Sequence, residues 1–384
     1  MKKLFFFAAA AFALASCSSD ETTAVNQSQN ESNVISFRPL MNGVTRTANS
    51  TGLKTAFESG DILHVYANYK SATYFQTDFI SNGSGFYSAD KYFWPSDLGT
   101  NNITFTAFWG ENQKTWAATG DENSLASAYT VPDAVGDQKD LLFAKTTVSA
   151  KPSDGGQILN FRHMLSQVIV NVANDEPNLK IVISGVRVGY VAKTGTFTYS
   201  GGDTNTQVED ATNTAGATLI SRSNWSLTAA TAATQLHEQT VSATLTGTAG
   251  TTALTSFSPW ILMPQALSAA TDYTARETNG AVTSATDPKL GGAYLALKMT
   301  VKSADDAATI VSEQWCYWPI GTEWLPGYKY TYTINAGSGG YQPTDQDNTA
   351  GLDPVLKGTF IWFTPTCSID TWVESAISVD APSL

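Results

Sequence analysis

The chain has 384 residues, room for about two domains, and at 42% hydrophobic and 15% charged residues it has the composition of a globular protein. A formal net charge of −12 leaves no basic field to attract phosphate, so nucleic acid is not expected as a partner. Thr, Ser, Gly and aromatic residues dominate, which favours strands over helices.

The first element is a leader. Lys2 and Lys3 are followed by an apolar stretch, Leu4 to Leu14, too short to span a bilayer, and no later apolar run reaches that length. Small Ala15 and Ser16 then precede Cys17, so that Leu-Ala-Ser-Cys resembles the lipobox of bacterial lipoproteins. That resemblance implies removal of residues 1–16 and a diacylglycerol on the Cys17 thiol. Residues 17–33 carry one valine and no aromatic side chain, the pattern of a flexible tether.

Beyond the tether, apolar residues alternate in short runs divided by Gly, Asn, Asp and Pro, as in β-sandwiches. Runs at 33–38, 61–69, 102–110 and 140–148 predict strands of a first domain, 34–156. "KPSDGGQ" (151–157) has no large apolar side chain and marks the boundary. A second domain, 157–375, has candidate strands at 167–174, 180–191, 195–201, 255–264, 293–302, 313–320, 328–335 and 358–365. Residues 202–253, rich in Thr and Ala, predict a long surface excursion with strands near 225–227 and 241–245. The chain ends in a tail, 376–384, in which Ile377 and Val379 alternate.

Five segments carry a further resemblance. "AFESGDILHVYA" (56–67), "DLLFAK" (140–145), "NFRHMLSQVIVNV" (160–172), "WILMPQAL" (260–267) and "WLPGYKYTYTINAG" (324–337) resemble, in order, the recurring segments of the fimbrillin-like family, the lipoprotein pilins and pilus-associated subunits of type V pili. The resemblance implies an all-β chain of two transthyretin-like β-sandwich domains in series. It implies an outer-membrane lipoprotein of the cell surface or fimbrium, cut after an arginine by an arginine-specific surface protease. The cut removes the first strand, and a strand from another pilus subunit fills the groove.

The residues have the parts for this. Ile35 and Phe37 share one face of the first strand and are its candidate plugs. "PLMNGVTRTANSTG" (39–52) carries turn signals around Arg46, so the Arg46-Thr47 bond is the candidate processing site within a removable segment, 34–46. Arg38 competes, but Pro39 follows it. Ile377 and Val379 form a short candidate donor able to fill two pockets, which leaves open a tip or base subunit, or a non-polymerising surface lipoprotein that binds glycan or a host protein. A host or bacterial adhesion ligand is a further expected partner.

Little else points to chemistry. His64, His163 and His237 have no ligand spacing, and Asp345 and Asp347 lack the rest of a calcium loop, so no metal or cofactor is expected. Glu313, Glu323 and Glu374 are scattered, and no nucleophile or phosphate-loop motif appears, so no catalytic residue is nominated. Cys316 and Cys367 fit either a disulfide or two buried thiols. The aromatics from Trp315 to Tyr332 fit core packing better than a sugar platform, because alternation turns half of them inward.

Overall fold

The structure is a computed structural model that describes residues 33–41, 56–110, 123–125, 127–153, 156–204, 220–228, 235–247, 254–268, 293–338 and 366–371. It is all-β. Among the described residues the helical content is three turns of three residues each, Val135–Asp137, Arg222–Asn224 and Ala336–Ser338.

The first half contributes β1 (Phe37–Met41), β2 (Ile62–Tyr69), β3 (Ala72–Ser81), β4 (Phe86–Ser88), β5 (Ile103–Trp109), β6 (Tyr129–Thr130), β7 (Leu142–Val148) and β8 (Gln157–His163). Seven of these close a ring in the order β1-β4-β3-β2-β5-β7-β8. Hydrogen bonding runs round the sheet without a break, so the two faces expected of a sandwich are joined at both sides. Every pairing in the ring is antiparallel except β1 with β8. The β2–β3 hairpin turns through Lys70 and Ser71, both at positive φ, the conformation whose twist suits a two-residue hairpin.

The second half contributes β9 (Ser166–Ala173), β10 (Leu179–Gly189), β11 (Thr194–Phe197), β12 (Trp225–Leu227), β13 (Leu236–Thr246), β14 (Thr255–Ser256), β15 (Trp260–Leu262), β16 (Tyr294–Ser303), β17 (Thr309–Pro319), β18 (Tyr328–Asn335) and β19 (Thr366–Thr371). One sheet runs β13-β10-β16-β17. A second runs β14-β9-β18-β19, with β15 also on β9, and a small third joins β12-β11-β6. The candidate strand at 358–365 lies outside the described residues.

Alternation in β5 and β7 builds two cores back to back. Phe105, Ala107, Leu142 and Ala144 face a first core with Ile35, Phe37, Phe79 and Phe86. Phe108 and Phe143 face the other way, into the core of the second half with Val168, Ile181, Trp260 and Tyr330. β8 passes from one core to the other, since only Met164 and Leu165, both fully buried, separate it from β9.

Two expectations change. β1 begins at Phe37, later than expected, and residues before it make isolated contacts. The excursion at 202–253 is not all surface: Thr204, Ile220, Trp225 and His237 are buried. Thr204 wedges between β7 and β8, its N–H donating to the Lys145 carbonyl (2.7 Å) and its own carbonyl accepting from Arg162 Nη2 (3.3 Å).

Candidate functional site: the seat of the first strand

Residues 33–41 are bonded on both sides. Trp94 N–H donates to the Asn33 carbonyl (3.0 Å), Ile35 N–H donates to the Tyr92 carbonyl (2.7 Å), and Val34 bridges Phe93. On the other side Gln157 N–H donates to the Ser36 carbonyl (2.8 Å). From there β1 runs parallel to β8, Phe37 opposite Gln157 through Met41 opposite Phe161, while Phe37 also lies opposite Phe86 of β4.

Ile35 is 0% exposed and Phe37 1%. The Phe37 ring stands edge-on to Phe79 (centroids 4.8 Å) and Phe105 (5.0 Å), the arrangement aromatic quadrupoles favour. Arg38, opposite Ile158 of β8, is half-buried, and Leu40, opposite Asn160, is exposed.

Two glycines let the seat close round this strand. A Cβ on Gly156, whose φ of +87° already suits only glycine, would meet Ser36 Oγ at 2.8 Å and the Ser36 carbonyl oxygen at 2.9 Å. A Cβ on Gly85 would meet the Phe37 carbonyl oxygen at 3.1 Å. The sequence reading missed both. Gly156 sits in the stretch that marks the domain boundary, and Gly85 closes the turn Asn82-Gly83-Ser84, where glycine has a commonplace explanation.

The other predicted site residues are dispersed. Cys17, Arg46, Thr47, Ile377 and Val379 lie outside the described residues, as do Asp345, Asp347 and Glu374. Among the described residues, no group of three or more His, Cys, Asp or Glu side chains is placed to hold a metal. His64 Nδ1 pairs with Asp78 (2.6 Å), and His163 Nδ1 donates to the fully buried Asp140 (2.5 Å). His237 accepts from Gln138 Nε2 (3.3 Å), and burial holds its pKa down at about 4. Glu313 accepts from Ser184 and pairs with Lys298, while Glu323 pairs with Arg222, so neither faces a partner acid. Cys316 is a free, buried thiol pushed up to about 12 by burial.

The aromatic cluster packs inward. Trp318, Trp324, Tyr328, Tyr330 and Tyr332 are buried, and Trp324 Nε1 donates to the Tyr332 hydroxyl (2.9 Å). Trp315 lies over Gly185 on one side, and Arg187 stacks on its ring at 4.0 Å.

A family model described as fimbrillin-like matches residues 45–350. No curated protein matches the chain. Among solved structures, the chain is similar to a candidate cell adhesion protein of Bacteroides uniformis, at 16% identity over 88% of this chain and 98% of that one, with a TM-score of 0.45. It is similar to another of Bacteroides ovatus (15%, 89% and 99%, TM-score 0.44). A fimbrial assembly protein of Parabacteroides distasonis matches at 10% identity over 79% of this chain and 91% of that one, with a TM-score of 0.38.

Proposed function

Because the chain belongs to the fimbrillin-like family, we propose that it is a fimbrial subunit exported as an outer-membrane lipoprotein on Cys17, cut between Arg46 and Thr47, and joined to other subunits by exchange of its first strand. Membership makes it a structural, fimbria-associated protein of the cell surface, of a kind that is not an enzyme. The anchor, the cut and the exchange are the finer reading.

The observation that supports it most is the seat of β1. The strand is bonded on both edges and supplies two fully buried plugs, and only residues 42–55 join it to the next described segment. A cut at Arg46-Thr47 breaks the covalent link and touches none of these contacts. Loss of the strand would leave ladder groups unpaired, each worth about 1 kcal/mol net. It would also empty two pockets worth about 1.5–3 kcal/mol apiece. A strand from a neighbour restores both terms, as in β-strand addition.

In this reading residues 17–33 are the lipid-anchored tether, 34–156 and 157–375 are the two units, and 376–384 is the donor tail. β8 belongs to the second unit by chain position and to the first by hydrogen bonding, so the units are built into one another. The partners are other pilus subunits and an arginine-specific protease. The test is the amino-terminal residue of the protein recovered from the cell surface. Thr47 is expected; a uniformly blocked, lipid-bearing Cys17 in assembled material would overturn the reading.

A further inference from the structure

We propose that the outer face of the ring over β3, β4, β1 and β8 is a membrane-contact surface, on which the chain anchored at Cys17 rests against a phospholipid headgroup layer. This rests on the lipoprotein reading and adds to it a docked orientation of the first half.

The surface follows from register. Phe79, Phe86, Phe37 and Leu159 face the first core, so their neighbours Ile80, Tyr87, Arg38 and Ile158 face outward. Tyr87 lies opposite Ile80, and Arg38 opposite Ile158. Phe86 lies opposite Phe37, which sets Gly85 beside Arg38. The Tyr87 ring lies over Gly85, its hydroxyl 3.4 Å from where a Cβ there would be. β3, β4, β1 and β8 are successive in the ring, so these side chains form one row about 14 Å across, three strand spacings wide. Ile80 and Tyr87 are 48% exposed, and Leu40, two residues along β1 from Arg38, is 44% exposed. Single exposed apolar residues need no explanation, but a row that crosses four strands does.

The position of the anchor selects the occupant. Cys17 lies 16 residues before Asn33, and a flexible tether of that length has an end-to-end distance of about 20–24 Å. From Asn33 the chain reaches Arg38 in about 17 Å of extended backbone. Acyl chains on Cys17 therefore hold this face close to the bilayer, at an effective concentration in the millimolar range. A row too weak to bind lipid from solution is then sufficient to dock. The charges agree with this. Arg38 has no acidic partner among the described residues, and its apolar stem and planar guanidinium suit the boundary between acyl chains and lipid phosphates. Asp78, on the same face of β3 as Ile80, is engaged by His64 Nδ1 at 2.6 Å. Strand exchange dismantles the surface, because Arg38 and Leu40 leave with the tether while Ile80, Tyr87 and Ile158 stay. Docking thus belongs to the anchored subunit and ends when β1 is replaced.

The test uses the full acylated chain in phosphatidylcholine vesicles brominated near the headgroups. A bimane probe is placed on Ser84→Cys, in the exposed turn before Gly85, or on Thr240→Cys, exposed on β13. Both chains carry Cys367→Ser, and Cys316 is buried. Bromine should quench the Ser84→Cys probe about twofold and leave the Thr240→Cys probe unchanged. Adding Ile80→Ser and Ile158→Ser, both at exposed positions, should restore the emission. Equal quenching of the two probes, quenching of neither, or quenching that survives the serine pair overturns the proposal. An unquenched probe together with a dimer on gel filtration that the serine pair abolishes overturns lipid as the occupant in favour of a second copy. Mass spectrometry that finds Cys17 without acyl chains overturns the anchor reading separately. The surface is then judged on the unacylated chain titrated with the same vesicles to millimolar lipid: quenching confined to Ser84→Cys supports it, and no quenching overturns it.

Discussion

Phe37 is the residue on which most of the first core turns, since it is fully buried and its ring touches two others edge-on. Phe37→Ala should cost about 3–5 kcal/mol in a urea melt of the uncut protein, while Leu40→Ala, at an exposed position, should stay within about 0.5 kcal/mol. The alternation around Ile35 and Phe37 made both visible in the sequence. Gly85 and Gly156 were not visible there, because a close backbone approach leaves no mark on one chain's composition. His237 gives a second test at this scale. Its pKa is lowered from 6.5 to about 4, first by burial and then by Lys193, so in between it is the unfolded chain that binds the extra proton. Stability should therefore fall as pH drops from about 6.5 to about 4, by about 3 kcal/mol in all, and His237→Gln should lose that part of the slope. Thermal melts across this range decide it; identical slopes in both proteins would count against it.

At the scale of elements, β2, β5, β7, β9, β16 and β18 were legible because one face of each is apolar and the turn residues bound them. β3 was not read as a strand. Its inward Phe75 and Phe79 are matched by exposed Tyr74 and Ile80, which blurs the two-residue period. β8 was hidden for the opposite reason. Asn160, Arg162 and His163 are buried, so the strand reads as mixed although most of it is interior. The segment joining β1 to β2 carries the prediction here. A trypsin-like protease should cut first at Arg46, as mass spectrometry of early digests would show. Competing basic side chains are tied down in paired structure: Arg187 to Glu238, Arg222 to Glu323, Lys298 to Glu313 and Lys180 to Asp306. A first cut within residues 202–253 would count against Arg46 as the processing site.

For the whole molecule, the all-β class and the fimbrillin-like likeness were legible, because patterning and motif order survive in sequence. Closure of the ring was not. It depends on Phe37 meeting Gln157 in parallel, a contact between distant parts of the chain that no local pattern encodes. The leader carries the prediction at this scale: Cys17→Ala should abolish labelling by radioactive palmitate and release the protein from the membrane fraction, whereas unchanged labelling would remove the lipoprotein reading. One feature of the architecture bears on mechanics. β1 lies parallel to β8, β8 runs through Met164 and Leu165 into β9, and β9 lies parallel to β18. A pull on the amino-terminal side draws β1 along its own length against β8, so the ladder is sheared as a unit instead of being unzipped bond by bond. The tension then passes along one continuous backbone into the sheet of the second half. A strand seated as β1 is seated would thus be a joint that is open to exchange when a competing strand arrives, yet resists extraction by flow.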